Sequence, residues 1–203
     1  MKKLLYALGF LILPIGGCQE EINPAVKTSL SEAELSDLLF TREEEKLAHD
    51  VYTYAFEKYG VSIFQNISRS ETQHINSVLQ VMGAYQLSDP LDGSISLGEF
   101  TNTSLQNLYS ELTSKVDISL EEATKVGLLI EDMDILDLQL AIASTQKPEL
   151  IQLYEKLKCG SENHMRAFYN QATTLGVTYN PSYITIEEFD RIVNSSNTTC
   201  QPN

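Results

Sequence analysis

Positive charge is scarce in this sequence: Lys and Arg number 14 against 28 Asp and Glu, a formal net charge of −14. A chain of that sign repels phosphate backbones, which argues against nucleic acid as a partner. Cysteine is scarcer still, three in 203 residues with none in a close pair, so the ligands of an iron–sulfur cluster are missing. No methionine cluster surrounds Met133 or Met165, which makes them packing residues and not copper ligands. Period-two alternation of apolar and polar residues is absent over any useful length, so strands have no support, and no internal repeat suggests a solenoid. After the first residues no apolar run is long enough to span a bilayer.

The first residues set the expected compartment. Lys2 and Lys3 precede an apolar run from Leu4 to Ile15 that is too short for a permanent membrane helix and reads as a signal peptide over residues 1–17. The run closes on Ile15-Gly16-Gly17-Cys18, which resembles a lipobox. The mature chain is therefore expected to start at a lipid-bearing Cys18, exported and held to the bacterial cell envelope by that lipid alone. Loss of Lys2 and Lys3 takes the formal charge from −14 to −16. Residues 18–30 form a polar tether with Pro24. Cys159 and Cys200 remain as an even count, and an oxidising compartment favours a disulfide between them.

Past Ser29 the signals are helical. Ser31-Glu32-Ala33-Glu34 has the spacing of a capping box, in which a serine and a glutamate three residues on satisfy free N–H groups at a helix start. Thr41-Arg42-Glu43-Glu44 repeats it, so the first helix is expected to break or re-cap near Phe40 before running through Lys58 to a stop at Gly60. Ser62 is expected to cap a second helix, whose stripe carries Ile63, Ile67, Glu71, His74, Val78 and Met82. Gln86 to Asn102, with Asp89-Pro90 and two glycines, reads as a long crossover loop leading to a shorter helix around Leu105 and Leu112. Ser119-Leu120-Glu121-Glu122 opens the next helix, with Gly127, Ile130, Glu131, Asp134 and Leu138 on one stripe. Pro148 starts another, on which Leu157, Ser161, His164 and Phe168 share a face before Gly176. Thr185-Ile186-Glu187-Glu188 predicts a short helix to Val193, followed by a polar tail over 194–203. The economical architecture is all-α, a four-helix bundle over 31–193 with a long crossover between helices two and three and short extra helices.

Burying a carboxylate is costly unless it is paired or coordinates a metal. Acids on several apolar stripes of one bundle need a common explanation, and a metal centre supplies it. Glu71 and His74 stand one turn apart, so an oxygen and an imidazole nitrogen can reach one ion. Glu45, Glu131, Asp134 and His164 project inward from other parts of the bundle. On helix one the stripe leaves Glu44 open beside Glu45, since Glu44 lies nearer Leu47 and Val51. His49 reads as a partly exposed histidine bonded to a carboxylate, outside the ligand set. Tyr52 is open between a core aromatic and a hydroxyl donor to a ligand carboxylate.

Four motifs in order now carry a resemblance: Arg42-Glu43-Glu44-Glu45-Lys46-Leu47-Ala48-His49-Asp50-Val51-Tyr52, Ser70-Glu71-Thr72-Gln73-His74, Ile130-Glu131-Asp132-Met133-Asp134-Ile135 and Gly160-Ser161-Glu162-Asn163-His164-Met165-Arg166-Ala167-Phe168. They resemble an uncharacterised ferritin-like family, domain of unknown function 2202, from about Ser31 to Val193. More widely the pattern is similar to rubrerythrin-like di-iron proteins, with a Glu on helix one, Glu-x-x-His on helix two, one or two acids on helix three and Glu-x-x-His on helix four. The resemblance selects Glu45 and implies a ferritin-like fold. Its implied metal ligands are Glu45, Glu71, His74, Glu131, Asp134 and His164. Helix four departs, because Ser161 stands where a bridging Glu is expected and Glu162 points elsewhere. Asp134 is the acid placed to replace it, and a single-metal site stays open.

What the resemblance implies is two irons, or iron with manganese, in an envelope-anchored non-haem oxidoreductase reacting with oxygen or peroxide. Mixed carboxylate and imidazole ligation suits those metals. A rubredoxin-like cysteine relay is lacking. The alternative is a metal-free or single-metal helical module with a binding or structural role on the envelope. The partners implied are the membrane, through lipid on Cys18, and oxygen or peroxide, with a homodimer as an admissible assembly.

Overall fold

The computed structural model describes residues 29–92 and 96–200. The expected signal peptide over 1–17, the lipidation position Cys18, most of the tether and the last three residues of the tail lie outside the described residues. Within them the chain is all-α, with α1 (Glu32–Tyr59), α2 (Ser62–Ala84), α3 (Thr103–Val116), α4 (Leu120–Ser144), α5 (Pro148–Leu175) and α6 (Ile186–Val193). Among the described residues none is in a strand, and no helix is long and apolar enough to cross a membrane.

The helix ends follow their caps. The Ser31 side chain accepts from Glu34 N at 3.1 Å while Ser31 N donates to Glu34 Oε2 at 2.8 Å, a complete capping box. The side chains of Ser119 and Thr185 cap α4 and α6 by accepting from Glu122 N and Glu188 N. Gly60 and Gly176 close α1 and α5 with φ of 65° and 69°, a left-handed conformation that glycine adopts without a Cβ penalty. Two expectations are corrected. α1 runs unbroken past Phe40 with Thr41 buried inside it, because no Gly or Pro interrupts residues 32–59 and a local capping signal does not outweigh helix propagation. Ser62 is the first residue of α2 and not its cap. Val61, with extended backbone and no side-chain cap bond, takes that place, since the turn at Gly60 leaves a single residue before the helix.

The four long helices share one axial plan. α1 passes from an apolar cluster at Leu38 to a second one at Leu47, Val51 and Ala55, and α5 runs in the same sense, from Leu150, Leu153 and Leu157 to Phe168 and Ala172. α2 and α4 run the other way, from Phe64 and Ile67 to Val78 and Met82, and from Ala123 and Ile130 to Leu138 and Ala141. Between the clusters every one of the four carries buried polar residues: Glu45, then Glu71 and His74, then Glu131 and Asp134, then Ser161 and His164. α1 packs on α2 and α4 on α5, and the pairs meet through α1 with α4 and α2 with α5. Because α2 and α4 point the same way, the chain must return along the molecule between them. Residues 85–102 and α3 make that return, with α3 lying on α1 and α4.

Three buried acids fasten the irregular segments. Glu43 accepts from Thr101 N at 2.8 Å and Asn102 N at 2.9 Å and takes the Thr101 hydroxyl as well. Asp50 accepts from Gly98 N at 2.8 Å and pairs with Lys46, while Arg42 reaches Asp89 at 2.9 Å. At the other side Asp132 accepts from Tyr179 Oη, Ser182 N and Ile184 N at 2.7, 2.6 and 2.9 Å, holding the strap between α5 and α6. Each supplies a carboxylate to backbone amides that have no helical partner. Cys159 and Cys200 are joined by a disulfide with a Cα separation of 5.6 Å, which ties the tail to α5.

Candidate metal centre

The polar layer is organised around Glu71. Its Oε2 lies 2.8 Å from His74 Nδ1, and its Oε1 lies 2.9 Å from His164 Nδ1. One carboxylate thus faces two imidazoles with one oxygen each. A second acid backs each ring nitrogen: Glu45 Oε2 stands 3.0 Å from His74 Nδ1 and Glu131 Oε2 stands 3.6 Å from His164 Nδ1. The two rings are 5.3 Å apart and inclined by 27°. Glu71, His74 and His164 offer atoms within 4.8 Å of one another, and all three are buried. Placement follows from the helices, since Glu71 and His74 share one face of α2 and the 3.6-residue period brings His164 of α5 opposite.

Neighbouring groups fix these side chains. Tyr52, fully buried, donates its hydroxyl to Glu131 Oε1 at 2.6 Å and packs against Phe168 with ring centroids 5.1 Å apart, so it is at once a core aromatic and a hydrogen-bond donor to the cluster. His164 Nε2 lies 2.9 Å from Ser70 Oγ. On the far side of His74 the ring rests against the backbone at Gly160, where a Cβ would sit 2.5 Å from Cε1. Ser161 donates to Asp134 Oδ2, and the Leu157 carbonyl lies 3.1 Å from the same hydroxyl. The serine at the position expected for a bridging Glu therefore holds an acid from the next helix. Asp134 enters the layer beside the carboxylates of Glu45 and Glu131. Glu162 turns outward to Lys158, Arg166 and Arg191, and His49 is partly exposed and bonded to Asp50 at 2.8 Å.

Sequence reasoning overlooked Ser70, Gly160 and the burial of both Glu44 and Glu45, which are 3% and 2% exposed. Ser70 and Gly160 sit next to recognised residues in their motifs, the one signal that marked them. Glu44 meets Asp137 carboxyl to carboxyl, with Asp134 among its charged neighbours, and so belongs to the α1–α4 side of the layer.

Charge in the layer is set by burial against pairing. Burial pushes Glu71 up, but the two flanking imidazoles outweigh it and hold its carboxyl far below the usual carboxylate range. Burial dominates at Glu45, which rises to about 7 despite His74, and at Glu131 and Asp134, which also rise. Burial opposes charge on the imidazoles, yet the acids prevail: His164 rises to about 10 through Glu71 and Glu131, and His74 rises through Glu45 and Glu71. In the metal-free chain, protons hold this cluster together.

A family model for an uncharacterised protein domain, DUF2202, matches residues 34–196. The chain belongs to the DUF2202 family. It is 41% identical over 177 residues to the uncharacterised protein MJ0754 of Methanocaldococcus jannaschii, covering 87% of this chain and 95% of that relative. The crystal structure of that hypothetical protein superimposes with a TM-score of 0.82, covering 85% of this chain and 98% of that one. All the residues around Glu71 described above fall within the DUF2202 match.

Two outcomes follow from this geometry. Between pH 5 and 8 the folded metal-free chain binds more protons than the unfolded one, because Glu44, Glu45, Glu131, Asp134, His74 and His164 are all raised. Glu71, lowered, stays ionised in both states across that window. Stability from the raised groups is present at low pH and lost as pH rises, so the melting temperature of metal-free protein should fall from pH 5 to pH 8. A melting temperature that rises over that range contradicts this account. Separately, Gly160→Ala on a helix normally stabilises by about 0.5–1 kcal/mol, but here the methyl collides with His74. The variant should keep its helical circular dichroism while His74 is displaced, and unaltered His74 chemical shifts would refute the contact.

Proposed function

We propose that this polar layer is a metal centre in a ferritin-like four-helix bundle, holding two divalent cations of the iron or manganese class. The observation that carries the reading is the placement of the two Glu71 oxygens, each against the Nδ1 of a different histidine and each backed by a second acid. One position is then formed by Glu45, Glu71 and His74, the other by Glu71, Glu131 and His164, with Asp134 beside them. Oxygen and imidazole donors suit iron and manganese. The donor set fits in a second respect, because buried Glu45 Oε1 and Asp134 Oδ1 have no hydrogen-bond donor in the protein, and such orphaned groups are tolerated where an ion completes them.

Bound there, such a metal pair supplies one-electron redox steps toward dioxygen or a peroxide. The chain's own residues orient and shield. Tyr52 fixes the rotamer of Glu131 and Ser161 fixes that of Asp134. Ser70 meets the outer nitrogen of His164, which directs Nδ1 inward. The apolar clusters on either side keep bulk water out.

A second reading rests on the ion pairs themselves. His74 and His164, protonated between acids, form a self-consistent layer that needs no metal and serves structure alone. Metal analysis of purified protein separates the two. Iron or manganese near two equivalents per chain supports the centre. Glu71→Gln, which keeps the shape and removes the shared anion, should then lose most of it while the helices remain. Protein that takes up neither metal when supplied with both supports the structural layer instead.

We also propose anchoring at the envelope through lipid on Cys18, supported by the short basic and apolar leader ending in Gly16-Gly17-Cys18. Mass spectrometry of protein from its own cells should find a diacylated Cys18 at the N-terminus. An unmodified N-terminus elsewhere sinks the anchor without touching the metal centre.

A further inference from the structure

α5 meets the polar layer and the C-terminal tail through one stretch, residues 159–164. Its inward side carries Gly160 against the His74 ring, Ser161 bonded to Asp134, and His164 with Nδ1 2.9 Å from Glu71. Its outward side carries Cys159, joined to Cys200, and Asn163. Asn163 clasps the tail with both ends of its amide: Nδ2 donates to the Thr198 carbonyl at 2.9 Å, and Oδ1 accepts from Thr198 N at 3.0 Å. Residues 194–199 are exposed and lie beyond α6, so burial contributes little to holding them. The crossover and the strap are fastened by buried carboxylates, Glu43 and Asp50 for the one and Asp132 for the other. The tail, by contrast, is fastened by a bond that thiol chemistry can open.

That bond is within reach in the folded chain. Cys159 and Cys200 are both partly exposed, and Cys159 borders a surface groove of about 520 Å³ between α4 and α5, beside Ile142, Lys158 and Thr198. The two sulfurs are not equivalent. Cys159 stands at the groove, where a reductant enters, whereas Asn163 Nδ2 lies 3.2 Å from Cys200 Sγ. An N–H so placed is a donor to a thiolate formed on Cys200, which makes Cys200 the better leaving group.

We propose that the Cys159–Cys200 disulfide is a thiol-exchange site acting on the histidine layer: a dithiol entering the α4–α5 groove opens it, frees the tail and lets the Gly160 turn of α5 draw back from His74. One thiol of the reductant, its proton given up to water, attacks Cys159 Sγ. The S–S bond breaks with its electron pair on Cys200, which takes a proton from water. The second thiol, deprotonated in turn, attacks the reductant sulfur bound to Cys159 and expels Cys159, which is protonated as well. The reductant leaves as its own disulfide, so two electrons have passed from dithiol to cystine, and reoxidation restores the clasp. With the covalent tie gone, the two bonds between Asn163 and Thr198 are exposed to competition from water. The switch stands without a metal, since Gly160 and His164 meet the layer in the metal-free chain. Its effect on a bound ion rests on the reading given under Proposed function.

The test uses the full chain, metal-free and with its histidine rings isotopically labelled. Dithiothreitol should open the disulfide under native conditions, read by alkylation and peptide mass spectrometry at Cys159 and Cys200, while helical circular dichroism persists. The His74 ring resonances should move on reduction and return on reoxidation. The Cys159→Ser, Cys200→Ser double variant should show the reduced positions with or without reductant. If that variant does not fold, the redox cycle of the wild type decides alone. His74 resonances that stay in place while the melting temperature drops make the disulfide a staple only and overturn the switch. Reduction that proceeds only as the chain unfolds overturns it too. The direction of exchange is read with 2-mercaptoethanol, quenched early: the mixed disulfide should collect on Cys159, and an adduct mainly on Cys200 refutes the assigned direction. Supplied with Mn(II), the reduced chain should hold the ion less tightly than the oxidised one, and equal affinity overturns the effect on the metal. Should neither form bind Mn(II), the metal reading of the histidine layer fails while a moved His74 still supports the switch.

Discussion

The constraint on which the molecule depends is electrostatic: carboxylates and two imidazoles are buried in one layer between two apolar clusters. Isolated, each of these charges would be expelled or neutralised. Glu71 is the member that makes the layer possible, since both of its oxygens are matched to an imidazole nitrogen and it stays anionic where its neighbours do not. The rest is arranged to keep that match. Tyr52 and Ser161 occupy one oxygen each of Glu131 and Asp134, Ser70 holds the outer edge of one ring, and Gly160 makes room for the other. The apolar clusters above and below supply stability through burial and also raise the energy of any unpaired charge between them.

α1 shows how one short motif serves two ends. Along residues 42–52 the face toward the crossover carries Arg42, Glu43, Lys46 and Asp50, whose partners are Asp89, the amides of Thr101 and Asn102, and Gly98. The opposite side carries Glu44, Glu45 and Tyr52 into the layer. The same helical turns that offer acids to the interior thus fasten the return segment needed because α2 and α4 run in the same direction. Damage to the crossover would reach the centre through α1, without any loop residue touching a histidine.

Much of this was readable from spacing. The helices, their caps at Ser31, Ser119 and Thr185 and the start of α5 at Pro148 follow from local chemistry, and Glu71, His74 and His164 stand out because polar residues interrupt apolar stripes of period 3.6. What stayed hidden depends on partners distant in the chain. Glu43, Asp50 and Asp132 bind loop amides about 50 residues away, and a single acid on a helix gives no sign of that. The choice between Glu44 and Glu45 could not be made from a stripe, because α1 is covered by α2, α3 and α4 at once and both acids are inside. Gly160 is legible only when the azimuth of α2 is known, since its missing Cβ matters to a ring on another helix. The expected break at Phe40 failed for the opposite reason: a four-residue signal was read without the unbroken helical sequence on both sides of it.

Ser161 bears on how the two readings of the layer differ. A Glu there would place a further carboxylate directly on α5, within the space between the imidazoles and α4, and would add one more charge for the layer to neutralise. Serine instead contributes a neutral donor and directs the charge of Asp134, leaving one oxygen of that acid unpartnered. In a purely structural layer a free acid oxygen at that depth is a cost with no return, and an apolar residue would pack better. Beside it Glu44 meets Asp137 carboxyl to carboxyl, so one proton shared between those two acids removes a second buried charge on the α1–α4 side. The layer is therefore asymmetric: the α2–α5 side is closed by contacts of the rings with Ser70 and Gly160, and the α1–α4 side is held by the pairing of Asp134 with Ser161 and of Glu44 with Asp137.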